Sequence, residues 1–211
     1  MRSGKFVLMD FDGVVADSQV LAYSVAQTIC RHVTREVHDR AFEGNINMTD
    51  HDHRKADHGP ECNHGLHWWD VYTPRFAEVK PFDGAREMLE SVSHEYGIIV
   101  VSSTVSNLID GFLKEYDMSD FILEVMGNDV HKLKTEKIRM AMEKHGATVN
   151  ECVFVTDTLG DMREAKEHEM GAIGCSWGYH PRSALEKGIP FRIVDSPAEL
   201  PDAVDDYFAR I

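Results

Sequence analysis

Short runs of consecutive apolar residues recur along this chain, and between them apolar positions fall at the three- and four-residue spacing of a helix face. Phe6–Met9, 98–101 and Cys152–Thr156 are fully apolar or nearly so and too short for buried helices, so they read as strands. Further strands are expected at 121–126, Ala172–Cys175 and 191–194. Helices are expected over 20–32, with Asp17 or Ser18 as the cap, and over 36–42, 83–96, 108–116, 135–145, 161–169 and 197–208. In the third of these, Ala85, Met88, Leu89 and Val92 make one apolar face. Strands apolar on both faces, alternating with amphipathic helices, predict an α/β fold: a Rossmann-like parallel sheet covered on both sides.

The alternation breaks once. From 44 to 65 there is little apolar periodicity and much His, Asp, Asn and Gly, and 66–79 reads as helical in part, divided by Pro74. Regular alternation resumes at about 81. The expected organisation is therefore a core made of 1–17 and 81–211, with a small, mostly α-helical insert over 18–80 whose His-rich loop occupies about 44–67.

In a parallel sheet of this kind, ligands lie beyond the carboxyl ends of the strands, at the point where strand order reverses. Three predicted strands end in groups suited to one site: Asp10 and Asp12, Ser102 and Ser103, and Asp157. Asp10 and Asp12 share a face of extended chain, where two carboxylates repel unless one keeps its proton or a cation intervenes. Such a pair offers a nucleophile beside a proton donor. Hard carboxylate oxygens at Asp10 and Asp157 suit Mg²⁺, and Asp161 stands one helical turn beyond Asp157. Ser102 and Lys134 can each hold a phosphoryl oxygen, so the set points to phosphoryl transfer.

Composition narrows the partners. The 211 residues are 43% apolar and 27% charged, as in ordinary globular proteins, with a formal charge of −14. That charge argues against nucleic acid and anionic membranes as partners, and a small phosphorylated metabolite, the partner expected from the phosphoryl-transfer set, would need a local cation to offset it. No apolar run is long enough to span a bilayer, and no signal peptide is expected before the first strand. Cys30, Cys62, Cys152 and Cys175 show no paired spacing, which fits a reducing cytoplasm, and the protein is expected to be a monomer or homodimer.

With these residues in view, the chain resembles the haloacid dehalogenase superfamily over nearly its whole length. DFDGVVADS is similar to the first motif of that family, VVSST to the second, the lysine of HKLKTEKI to the third, and VTDTLGD to the fourth. The resemblance implies Asp10 as a nucleophile that forms an aspartyl-phosphate and Asp12 as the acid/base, with Asp12 also a metal ligand through its backbone carbonyl. It further implies Ser102 (with Ser103 beside it) and Lys134 as phosphate ligands, and Asp10, Asp12, Asp157 and Asp161 as the Mg²⁺ site. Lys134 fits the third motif better than Lys132, because a helix follows it directly. Thr156 departs from the glycine usual before the fourth-motif carboxylate. An acid at position 12 favours phosphate esters over haloacids. The tail, with its WGY and DSPAEL segments, resembles the phosphoglycolate phosphatase group, in which the 18–80 insert would be a cap that sets substrate choice. A phosphomutase of the same superfamily is the alternative enzyme.

The insert carries its own candidate chemistry. His51, His53, His58, Cys62, His64 and His67 crowd one stretch among several aspartates and read either as ligands of a second metal such as Zn²⁺ or as a solvated polar loop. A non-catalytic metal-binding or regulatory protein that uses this insert is the alternative from another class. His67, Trp68 and Trp69 read as cap core, Ser103 and Thr104 as caps of the following helix, and His180 and Arg182 as partners of loop carbonyls.

Overall fold

The computed structural model describes residues 4–44, 46, 62 and 65–211. His51, His53, His58 and His64 lie outside the described residues.

The core strands are β1 (Phe6–Met9), β4 (Gly97–Val101), β5 (Ile122–Met126), β6 (Cys152–Thr156), β7 (Ala172–Cys175) and β8 (Arg192–Val194). They form one six-stranded sheet in the order β5-β4-β1-β6-β7-β8, with every pairing parallel. The pleat explains why these strands are apolar at successive positions. Val7, Met9, Ile98, Val100, Val153 and Val155 belong to the larger core on one face, while Leu8, Ile99, Val101 and Phe154 belong to a second core on the other. The helices that cover the two faces are α4 (Ala85–Glu95), α5 (Ser106–Glu115), α6 (Lys134–His145), α7 (Leu159–Glu167), α8 (Arg182–Leu185) and α9 (Leu200–Arg210). Strand order reverses at β1, which has β4 on one side and β6 on the other, so the crevice opens over the ends of β1 and β6.

The insert leaves and rejoins the core through a short antiparallel ribbon of β2 (Ala16–Asp17) and β3 (Lys80–Pro81), with Asp17 opposite Lys80. Between them, the described residues are helical: α1 (Gln19–Ile29), α2 (Arg35–Arg40), α3 (Trp68–Tyr72) and two 3-10 turns, Ala41–Glu43 and Thr73–Glu78. Pro74 divides the last helical stretch as expected: the α-helix stops at Tyr72 and the chain tightens to 3-10. Helix α1 is shorter than the pattern suggests, ending at Ile29 with Cys30 already extended. Ser18 occupies its N-cap position without capping, because its hydroxyl is committed to Asp12.

The insert sits tightly on the core. Phe11 meets Phe76 of the insert at 6.4 Å and Phe112 of α5 edge-on at 5.1 Å, so one aromatic joins both units. His180 accepts from the Leu159 backbone N–H through Nδ1 (3.0 Å) and donates from Nε2 to the Asp39 carbonyl (3.0 Å), clamping the end of α2 to the start of α7. Gly160 permits this approach, since a Cβ there would stand 2.4 Å from the Gly44 carbonyl oxygen.

Phe154 is fully buried at the centre of the second core. Phe154→Ala is expected to cost ~3–5 kcal/mol of unfolding free energy, read from urea denaturation, because the cavity it leaves is walled by rigid sheet and helix.

Candidate active site

Asp10 follows the last residue of β1 and is held in the sheet by its N–H, which donates to the Val155 carbonyl at 2.9 Å. Its Oδ1 accepts from the Phe11 backbone N–H (2.7 Å), and its Oδ2 lies 2.7 Å from Lys134 Nζ. Lys134 opens α6 and reaches a second carboxylate equally closely, Asp161 Oδ2 at 2.7 Å. All three side chains are buried. Burial pushes the Asp10 carboxyl well above the usual carboxylate range, with Asp161 and Asp157 adding to it and Lys134 only partly opposing. For Asp161 burial pulls the same way, yet Lys134 and the hydroxyl of Thr156 (2.7 Å) hold it below that range. Burial also works against the Lys134 ammonium, but Asp10 and Asp161 outweigh it, so Lys134 keeps its proton. Thr156, the departure from the family pattern, is thus the residue that steadies Asp161.

Asp12 lies one turn further on. Gly13 takes φ +78° and the chain folds back, with the N–H groups of Val15 and Ala16 both donating to the Phe11 carbonyl. The Asp12 carboxylate then meets hydroxyls from three directions. Ser18 (2.7 Å) and Tyr72 (3.4 Å) donate to Oδ1, while Thr104 (2.8 Å) and Ser102 (3.2 Å) donate to Oδ2. Ser102 therefore faces Asp12, and its Oγ also accepts from the Thr104 N–H (2.9 Å). Ser103 and Thr104 are the residues of this loop that line the cavity. Thr104 does not cap the next helix, whose N-cap is Val105. Lys137, one helical turn beyond Lys134, was not evident from the sequence: it is fully buried, donates to the Ser102 carbonyl, and is pushed down to about 8 by burial and by Lys134. An i, i+3 lysine pair at the start of a helix was the available signal.

Asp157 follows the last residue of β6, beside Asp10. Its Oδ2 accepts from the Tyr179 N–H at 2.6 Å, whereas Oδ1 is buried with no hydrogen-bond partner. Gly13 and Gly178 close around it so tightly that a Cβ on either would stand 1.9 Å and 2.3 Å from Asp157 Oδ2. Burial raises the Asp157 carboxyl to about 7, with Asp161 adding to it. An orphaned oxygen in a crowded, net-negative cluster is what a hard divalent cation would satisfy, so these residues fit Mg²⁺. No group of three or more His, Cys, Asp or Glu among the described residues stands ready to hold a metal. A Mg²⁺ that keeps several waters needs only one or two protein carboxylates.

Above the strand ends lies a cavity of about 620 Å³. Asp10, Asp12, Ser103, Lys134 and Asp161 line its floor, and insert residues including Ile29, Val33, Phe42, Trp68, Trp69 and Tyr72 line its wall. His67 and His38 also reach it. His38 is kept neutral by burial and leaves Nε2 unpartnered. Of the other candidates, Cys62 packs with Cys30 away from the carboxylates, and Arg182 binds Asp195 and the Ile193 carbonyl. No helix of the described residues is long and apolar enough to cross a membrane.

The sequence profile of the haloacid dehalogenase-like hydrolases matches residues 7–175. Curated relatives include a phosphoglycolate phosphatase of Vibrio vulnificus, 26% identical over 124 residues that make up 56% of this chain and 54% of that protein. A phosphoglycolate phosphatase of Vibrio parahaemolyticus is 25% identical over 56% of this chain and 54% of its own length. The chain thus spans about half the length of these relatives. Among solved structures, a predicted phosphatase from Clostridium acetobutylicum superposes with a TM-score of 0.79 at 19% identity, covering 96% of this chain and 98% of that one, a likeness of fold.

Asp10 and Asp157 bind protons more tightly in the folded chain than in the unfolded one, where an aspartate titrates near 3.8. Folding then takes up protons between about pH 4 and 7, and the stability this confers falls as pH rises through that window. Metal-free protein is expected to melt lower at about pH 8 than at about pH 5, with Mg²⁺ raising the melting temperature more at the higher pH. Asp157→Asn should reduce the difference, leaving the part due to Asp10. A Mg²⁺ response equal at both values would contradict the assignment.

Proposed function

The chain belongs to the haloacid dehalogenase-like hydrolase family, and from that premise we propose that it hydrolyses phosphate monoesters through an aspartyl-phosphate on Asp10. The observation that carries this reading is the pairing of two unlike carboxylates at one strand end. Asp10 is buried against Lys134, and Asp12 is oriented by the hydroxyls of Ser18, Tyr72, Ser102 and Thr104.

In the first half-reaction an Asp10 oxygen bonds to phosphorus while the ester P–O bond breaks, and Asp12 gives its proton to the departing alkoxide. In the second, Asp12 takes a proton from water as that water attacks phosphorus, which releases phosphate and restores the Asp10 carboxylate. A hydroxyl can either donate or accept, so the Asp12 cradle serves both protonation states of that carboxyl without rearranging. Lys134 holds a phosphoryl oxygen and offsets charge in a molecule that is otherwise strongly acidic. Lys137 fixes the carbonyl of Ser102 and hence the loop beside Asp12. Mg²⁺, held by Asp10, Asp157 and the Asp12 carbonyl with Asp161 behind them, would supply further charge neutralisation at the phosphoryl group.

Residues 18–80 act as the cap in this reading, and their wall argues for the leaving group. It is apolar and aromatic, and among the described residues it presents no Lys or Arg to the cavity. A second carboxylate, as in phosphoglycolate, would find no Lys or Arg in the wall among the described residues. An ester with an apolar or aryl body would bury it against Trp68, Trp69 and Phe42. Four buried free cysteines support a reducing compartment such as the cytoplasm.

Phosphate release from a panel of monoesters with and without Mg²⁺ tests the activity. Asp10→Asn is expected to bring release to background with an unchanged melting curve, and Asp12→Asn to lower kcat by about 10²–10⁴. Substantial turnover by Asp10→Asn would refute the nucleophile, and an isomerised substrate in place of free phosphate would make the enzyme a mutase.

Aryl and longer alkyl phosphates are expected to show higher kcat/KM than phosphoglycolate. Trp69→Ala should raise KM about tenfold or more, from the ~1.5–3 kcal/mol of a buried large side chain, with a smaller effect on kcat. Preference for phosphoglycolate would overturn the leaving-group reading alone.

A further inference from the structure

The loop that follows β7 clasps the chain around Gly13. Trp177 donates through Nε1 to the Val14 carbonyl (3.2 Å), and Gly178 packs so closely that a Cβ there would stand 2.3 Å from the Gly13 carbonyl oxygen. Between these contacts and the His180 clamp, Tyr179 is fixed beside the carboxylates, only 6% exposed. Each part of this residue has its own partner. The N–H donates to Asp157 Oδ2 (2.6 Å), and the carbonyl accepts from the Gln19 side chain (3.2 Å) at the start of α1. The ring packs on Phe42 at 4.7 Å and stacks on His38 at 6.3 Å, both residues of the insert. The hydroxyl meets Ser18 Oγ at 3.2 Å.

The direction of that last bond follows from counting protons. A serine hydroxyl has one, and Ser18 gives it to Asp12 Oδ1 at 2.7 Å. The proton between Ser18 and Tyr179 therefore comes from Tyr179, whose burial pushes its ionisation well above that of a free phenol and keeps that proton in place. The result is a directed chain, Tyr179 to Ser18 to Asp12, in which each donor strengthens the next. Tyr72 reaches the same carboxylate oxygen at 3.4 Å, a longer and weaker contact. Ser18 makes no cap hydrogen bond to α1, so its helix does not hold its rotamer. The Tyr179 hydroxyl favours the rotamer that aims at Asp12.

We propose that Tyr179 is a positioning residue for the acid/base carboxyl, acting through Ser18 to hold Asp12 in the orientation that protonates the departing oxygen of the ester. The inference rests on the phosphatase reading and deepens it. Its consequence is specific to the leaving group. Protonation matters most where the departing alkoxide is a strong base, and little where a stable phenoxide such as p-nitrophenolate leaves unaided. Loss of the Tyr179 hydroxyl should weigh on alkyl esters and spare the p-nitrophenyl ester, whereas a general change in packing would weigh on both alike.

The test compares kcat/KM for an alkyl phosphate and for p-nitrophenyl phosphate, with Mg²⁺, in the full chain and in Tyr179→Phe, Ser18→Ala and the double variant. Tyr179→Phe retains the ring and the backbone N–H that serves Asp157. It is expected to lower kcat/KM about fivefold for the alkyl ester and by less than about twofold for the p-nitrophenyl ester, as loss of one hydrogen bond implies. Ser18→Ala should show the same split with a larger loss of about tenfold, since it removes the donor to the carboxylate itself. Adding Tyr179→Phe to Ser18→Ala should cost nothing more, because the phenol acts through the serine. Equal losses on the two esters in Tyr179→Phe, or no loss on either, overturn the inference and leave the phosphatase reading standing. Losses that multiply in the double variant overturn the route through Ser18. A crystal structure of the unsubstituted chain with Tyr179 Oη out of hydrogen-bond reach of Ser18 Oγ overturns it as well, whether or not a variant folds. Release of phosphate from neither ester by the unsubstituted protein would overturn the phosphatase reading, and this inference with it.

Discussion

Lys134 lies between Asp10 and Asp161 at 2.7 Å from each, and much of the molecule follows from that contact. Three carboxylates, Asp10, Asp157 and Asp161, are buried at the ends of β1 and β6 and the start of α7, and a single ammonium touches two of them. Taking a carboxylate out of water costs several kcal/mol unless it is paired and hydrogen-bonded. The cluster meets that cost in graded fashion: Asp161 is ionised by its lysine and Thr156, while Asp10 and Asp157 are driven toward their protonated forms. Burial that favours the protonated carboxyls at Asp10 and Asp157 is burial that an entering cation would offset, with protons leaving as it enters. The same shortage of positive charge would make the cluster selective for a hard divalent ion over a monovalent one.

The parallel sheet makes this concentration of charge possible. Strands with both faces covered place their carboxyl ends together, and the reversal of order at β1 leaves a crevice where neither neighbouring helix covers those ends. Glycines then set how close the loops come. Gly13 and Gly178 leave no room for a side chain beside Asp157, and Gly160 lets the insert backbone rest on α7. The insert is bound into the site chemically as well as sterically, because Asp12 takes two hydroxyls from the insert, those of Ser18 and Tyr72, and two from the loop after β4. Displacing the insert would therefore loosen the group assigned to proton transfer.

The strands and the four acidic positions were legible in the sequence for a physical reason: a strand buried on both faces has no polar alternatives, and a carboxylate at its end stands out. The roles of hydroxyls were less so. Ser18 reads as a helix cap and instead serves Asp12, and Thr104 does likewise, because a hydroxyl suits a helix terminus and a carboxylate equally well and only tertiary contact decides. Tyr72 and Lys137 reach the site from elements whose placement no local pattern encodes. Cys30 and Cys62 are the extreme case: separated by thirty-two positions, they meet where α1 ends at Ile29, three residues short of the expected end at 32.

That early end of α1 ties the Cys30–Cys62 contact to the cavity wall. Were the helix to continue through His32, Cys30 would lie on a helix face and the Arg31 and His32 N–H groups would be spent within the helix. By stopping at Ile29 the chain frees those donors for Cys62 and turns Val33 toward the cavity wall. The wall of the cavity thus depends on a local backbone choice at some remove from the carboxylates. Floor and wall answer to different forces, one electrostatic and fixed by the sheet, the other apolar and fixed by how the insert is tied down. In the proposed phosphatase, a change in the apolar wall that spares Ser18 and Tyr72 would then alter which ester is taken while leaving the chemistry at phosphorus as it was.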